Sequence, residues 1–161
     1  MSMTDLAAVR AVVRDAWTSI LAPPLDDLRL LAWSCGEDAW RAPAGVPPVE
    51  VDIFSPGFLG GTPLLDLPPR AAADYLGSYA LSLLEGLEYQ QKQVVFYDIL
   101  TRAHLITCLN EPRFWDEVIR AHLPAGARAA LVPFCASLAE HREALALSEE
   151  RSNNIVGTSL Q

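Results

Sequence analysis

Residues 102–109, RAHLITCL, place His104 and Cys108 four positions apart. On a helix that spacing puts an imidazole and a thiol on one face, which is half of a metal site. A closed zinc site needs two more ligands. Cys35, Cys135, His122 and His141 are available, but none stands at ligand spacing, and the chain has neither a CxxC pair nor an HExxH helix. A cysteine nucleophile with a histidine base uses the same residue types, yet no local signature joins them. The neighbouring carboxylates Asp26–Asp27, Glu37–Asp38, Asp116–Glu117 and Glu149–Glu150 point in different directions on a helix and read as solvated surface. The glycines of GFLGGTP, residues 57–63, lack the lysine and the preceding strand of a phosphate loop, so this stretch is a turn. No catalytic residue, metal or cofactor is expected, and the residue pattern leans away from an enzyme. His104 and Cys108 are expected to pack, with His104 hydrogen-bonded locally.

Charge placement is more informative. The chain carries a net −8, which argues against a nucleic-acid partner, whose phosphates demand Lys and Arg. Between residues 26 and 66 stand seven acids (Asp26, Asp27, Glu37, Asp38, Glu50, Asp52, Asp66) and two bases (Arg29, Arg41), a net −5. Trp33, Trp40, Phe54 and Phe58 lie in the same stretch. Aromatics anchor and charges steer, so this combination suits a basic protein surface. Three scattered cysteines make no disulfide framework and favour a reducing compartment. The N-terminus lacks the apolar core of a signal peptide, and no run of about 20 apolar residues is long enough to span a bilayer. The expectation is a cytoplasmic protein without membrane association.

These side chains must be held by helices. Leu6, Val9, Val13, Trp17 and Ile20 share one face of a first helix over residues 4–22, with Thr4 as its cap and Pro23–Pro24 as its end. A short helix follows to about Trp33. Residues 43–69 hold seven of the twelve prolines and four of the nine glycines, which excludes regular helix over most of the stretch. VEVDIF, residues 49–54, alternates like a short strand but has no comparable partner, so at most a tiny β-ribbon forms. A helix resumes at 68–88 with Ala72, Leu76, Tyr79 and Leu83 on one stripe. Gly77 and Gly86 weaken it or let a neighbour approach closely. The helix over 93–109 is apolar on several sides and is expected in the middle of the bundle. Asn110 is expected to cap the next helix, on which Trp115, Val118, Ile119 and His122 share a face. A last long helix runs from Pro124 to Leu145, with Pro133 and His141 in its apolar repeat.

The stretch 54–84, FSPGFLGGTPLLDLPPRAAADYLGSYALSLL, resembles a small bacterial domain family of unknown function through Leu67, Pro68, Tyr75, Leu76, Tyr79 and Leu81. Residues 123–143 resemble that family's last helix. Gly77 and Ser78 stand where the family usually has Pro and Ala. The resemblance implies a compact, mostly helical, bacterial cytoplasmic domain and brings no reaction or ligand. In size and charge the chain is also similar to immunity proteins that neutralise interbacterial toxins.

The expected fold is all-α: a single-domain bundle of five or six helices over 1–147, an irregular acidic segment at about 34–67, and a mobile polar tail at 148–161. Two function classes follow. One is a non-enzymatic binding protein that grips a basic partner, such as a cognate toxin, through Glu37, Asp38, Trp40, Glu50, Asp52 and Phe54. The other is a small-molecule binder or enzyme with a pocket between the irregular segment and helix 68–88, lined by Trp33, Tyr75, Tyr79 and His104.

Overall fold

The computed structural model describes residues 5–20, 49, 64, 69–91 and 99–161, with side chains placed for all of these except 89–91 and 99–104. Among the described residues every regular element is helical, and the architecture is all-α. The elements are α1 (Leu6–Thr18), α2 (Pro69–Gln91), α3 (Ile99–Asn110), the single turn α4 (Pro112–Phe114) running into a π-helical segment (Trp115–Arg120), α5 (Ala125–Glu140) and α6 (Glu149–Ser159). The short helix expected before residue 34, the VEVDIF strand and the start of the helix at 93 lie outside the described residues. So does most of the irregular segment. Of that segment Val49 and Leu64 are described, and both are buried in the common core.

Helix α1 forms as its periodicity predicts: Leu6, Val9, Val13 and Trp17 are buried, and Ile20 packs partly against the same core. Its cap is Asp5 rather than Thr4. The Asp5 Oδ1 accepts from the Ala7 N–H at 2.9 Å, satisfying one of the amides the first turn leaves open. α1 lies antiparallel on α2. Near one end Arg10 pairs with Glu88 at 2.9 Å; near the other the Trp17 indole N–H donates to the Ala73 carbonyl at 3.2 Å. The Trp17 ring fills the space over Gly77, where a Cβ would meet ring carbons at 2.4–2.8 Å. Gly77 is therefore the close-approach glycine of the sequence, and its missing side chain sets the distance between α1 and α2.

Among the described residues the most continuously buried stretch lies on α2. Every residue from Ala71 to Leu81 is buried, whereas the described side chains of α3 include the exposed Thr107 and the half-buried Asn110. An apolar stripe that wraps a helix marks burial on all sides. In α2 small residues extend that wrap, because Ala71, Ala73, Gly77 and Ala80 admit neighbours closely although they add little to a hydrophobic pattern.

The region after α3 departs from an ordinary helix. Asn110 does not cap it; its side-chain amide donates back to the Ile106 carbonyl at 3.0 Å. Glu111 holds the N-cap position without a side-chain bond, and Pro112 opens the turn. The ladder then widens to π geometry over Trp115–Arg120. With i→i+5 spacing the buried side returns from Val118 to Leu123, so His122 points outward and is exposed rather than sharing the face of Trp115. The Trp115 indole donates to the Leu109 carbonyl at 2.8 Å, which fixes the wide turn against α3.

Helix α5 packs on both α1 and α6. It ends at His141, earlier than the Leu145 repeat predicts. The His141 Nδ1 sits 2.9 Å from the Ser137 carbonyl, and a turn follows in which Ala146 adopts φ 51°. Leu145 and Leu147 still reach the core from that turn. The expected mobile polar tail is instead helix α6. Ser148 caps it by accepting from the Arg151 N–H at 3.2 Å, Glu149 and Glu150 suit its positive end, and Ile155 and Ser152 are buried against the bundle.

Candidate functional site

The described part of the site region is a polar stripe on a buried helix. Arg70, Asp74 and Ser78 follow at four-residue spacing along α2, and Tyr75 and Tyr79 form the row beside them. Arg70 is exposed. Asp74, Tyr75, Ser78 and Tyr79 are all buried in the interior. The Tyr75 and Tyr79 side chains are 1% and 3% exposed, so both pack as core residues. Burial, reinforced by the neighbouring Asp74 charge, pushes the Tyr75 phenol up to about 12, so at neutral pH it is a hydrogen-bonding group and not an anion.

Asp74 is the unusual member. Its Oδ1 accepts from the Arg70 Nε at 3.3 Å, and its Oδ2 is buried with no hydrogen-bond partner among the described residues. Burial raises its carboxyl above the ordinary carboxylate value, against the opposing pull of Arg70 and, from beyond the π-helical segment, of His122. The sequence does carry a signal for this: an acid stands inside RAAADYLGSY, a run otherwise built for burial. It is easily passed over because Arg70, one turn earlier, makes the pair look like a surface ion pair.

The other sequence candidates divide clearly. Cys108 is fully buried in α3, and burial pushes its thiol up to about 12; the same holds for Cys135 in α5, opposed by a hydrogen bond with Ser159. Thiols held that far from ionisation pack as apolar groups and are not nucleophiles at neutral pH. The His104 side chain lies outside the described residues, and among the described residues no three His, Cys, Asp or Glu side chains gather to hold a metal ion. Trp33 and the proposed partner-binding residues Glu37, Asp38, Trp40, Glu50, Asp52 and Phe54 also lie outside the described residues. No described helix is long and apolar enough to cross a membrane.

A second feature was not anticipated. An open cleft of about 250 Å³ runs between the π-helical segment, the start of α5 and the end of α6, lined in part by Trp115, Arg120, Arg128, Val132 and Gln161. Arg120 lies over the Trp115 ring, 5.9 Å from its centroid, and pairs with Asp116. The guanidinium is thus already engaged, and the cleft offers mixed rather than uniformly positive charge.

No protein-family model matches this chain, and no curated protein or solved structure matches it.

Proposed function

We propose that this chain is a non-enzymatic, cytoplasmic binding protein that engages a basic protein partner through its acidic, aromatic segment. An immunity protein that neutralises a bacterial toxin is the most concrete form of that role. One observation carries the reading: residues 26–66 hold −5 of the net −8 together with four aromatic side chains. The helical scaffold supports it by contrast. Among the described residues several of its charges are matched in pairs, including Arg10–Glu88, Arg113–Glu117 at 2.7 Å, Arg120–Asp116 and Arg142–Glu149. An excess of one sign concentrated in one segment steers a partner of opposite charge, whereas matched pairs do not. The bacterial setting rests on the family resemblance of residues 54–84 and 123–143.

The test is a pull-down from the native host read by mass spectrometry, followed by association kinetics with the captured partner. Reversing Glu37, Asp38, Glu50 and Asp52 to Lys is expected to lower the on-rate by about tenfold or more and to flatten its salt dependence. An unchanged on-rate rejects the segment as the docking surface. The pocket reading draws on one observation, the polar stripe of α2 beneath Tyr75 and Tyr79. It predicts a small-molecule thermal shift that Tyr79→Phe abolishes.

A further inference from the structure

Asp74 lies on α2, 3% exposed; among the described residues one of its oxygens is unpartnered and the other is held by a single 3.3 Å contact to an arginine whose side chain is 64% exposed. A buried ionised carboxylate is tolerated when several donors surround it, and removal of donors makes the charged form costly. Here, among the described residues, one donor serves one of the two oxygens, and that donor is largely exposed. A buried polar atom without a partner calls for a specific reason, since nearly all such atoms in folded proteins are satisfied.

We propose that Asp74 is a proton-operated latch in the core: the folded chain accommodates its carboxylic acid and strains against its carboxylate, so that the packing of α2 loosens as protons are withdrawn. Among the described residues the charged or titratable groups acting on it are Arg70 and Tyr75 from its own helix and His122 from the end of the π-helical turn. Burial opposes the carboxylate and outweighs the pull of Arg70 and His122, which favour it. The Tyr75 phenol stays neutral across the physiological range and supplies no compensating charge. The sign follows from linkage. A carboxyl that holds its proton more tightly in the folded than in the unfolded chain stabilises fully below the ordinary carboxylate range, and that stability is lost as pH rises through its folded value.

The experiment uses the full chain. The side-chain carboxyl carbon of Asp74 is followed by ¹³C NMR from pH 3 to 8, and urea midpoints are measured over the same range for wild type, Asp74→Asn and Arg70→Met. The Asp74 resonance is expected to stay at its protonated position beyond the ordinary carboxylate range, and to do so further in Arg70→Met. The wild-type urea midpoint is expected to fall with rising pH relative to that of Asp74→Asn. A resonance that titrates within or below the usual range overturns the latch, as do wild-type and Asp74→Asn midpoints that run parallel. The carbon titration of wild type decides the question even where Asp74→Asn fails to fold.

Discussion

Replacing Gly77 by Ala tests the packing that seats α1. In isolation the change should help, because Ala is better than Gly inside a helix by about 1 kcal/mol. The structure reverses that expectation. The new methyl carbon would lie 2.4 Å from the Trp17 Cγ, 2.5 Å from Cδ2 and 2.8 Å from Cδ1, all well inside contact distance. The ring has nowhere to retreat, since Trp17 is fully buried and its indole N–H is tied to the Ala73 carbonyl one turn back. Either α1 moves outward or the ring turns and breaks that bond. Overpacking of this kind costs about 1–3 kcal/mol, and the lost hydrogen bond adds about 0.5–1.5 kcal/mol. Against the helix-propensity gain, Gly77→Ala is expected to destabilise by about 1–3 kcal/mol, or roughly 2–12 °C in Tm for a chain of this size.

Urea unfolding followed by circular dichroism reads the effect. Gly126→Ala and Gly157→Ala serve as controls, because a Cβ at either position meets nothing within 4 Å. These controls should be neutral or stabilising by up to about 1 kcal/mol. A Trp17→Leu background should relieve much of the Gly77→Ala penalty, giving a coupling of about 1 kcal/mol or more in a double-mutant cycle. If Gly77→Ala stabilises as the controls do, Trp17 does not occupy the notch over Gly77 and the account of the α1–α2 contact is wrong.

Cys108 and Cys135 should resist thiol reagents in the native chain and react once it unfolds, and stability should fall as pH rises from about 9 toward about 12, because the unfolded thiols ionise first; equal labelling rates in native and unfolded protein reject their burial. Ile155→Ala should cost about 2–5 kcal/mol as a large-to-small change at a fully buried position; a change near zero, measured by urea unfolding, returns α6 to the status of a loose tail.

The parts of this fold that were legible in the sequence are those where one periodicity decides the outcome. The α1 face from Leu6 to Trp17 is read directly, as is the existence of α2, expected over 68–88 and found at Pro69–Gln91, and Gly77 declares itself as either a weak point or a close approach. The misreadings have particular causes. α6 buries only Ser152 and Ile155, three positions apart, too sparse a pattern to register against polar neighbours. Its cap signal, Ser148 followed by two acids, was present all the same. The π-helical segment has no compositional signature, so the outward turn of His122 follows only from the widened ladder. The continuous burial of α2 from Ala71 to Leu81 was hard to see because alanines and a glycine bury a helix without making it look oily. For the candidate site, the types and spacing of Tyr75 and Tyr79 were legible, but their packing into the interior and the isolation of Asp74 depend on neighbours from distant elements, and no local pattern encodes those.

Gly77 and Asp74 stand three residues apart on α2 and depart from the rules of helix design in opposite ways. Gly77 sacrifices propensity, and the gain is visible: a tryptophan is seated and hydrogen-bonded in the space it leaves. Asp74 sacrifices burial energy, and the Arg70 contact to one oxygen leaves the other without a partner among the described residues. Chains drift toward local consistency, so a violation matched by a compensating contact is explained by packing, and one without such a contact points to a role beyond packing. The same reasoning separates the two charge patterns of this chain. The matched pairs on the helices are accounted for by the fold that holds them. The excess acid of residues 26–66 has no such counterpart in the charge balance of the remaining sequence, and that is the gap the proposed basic partner would fill.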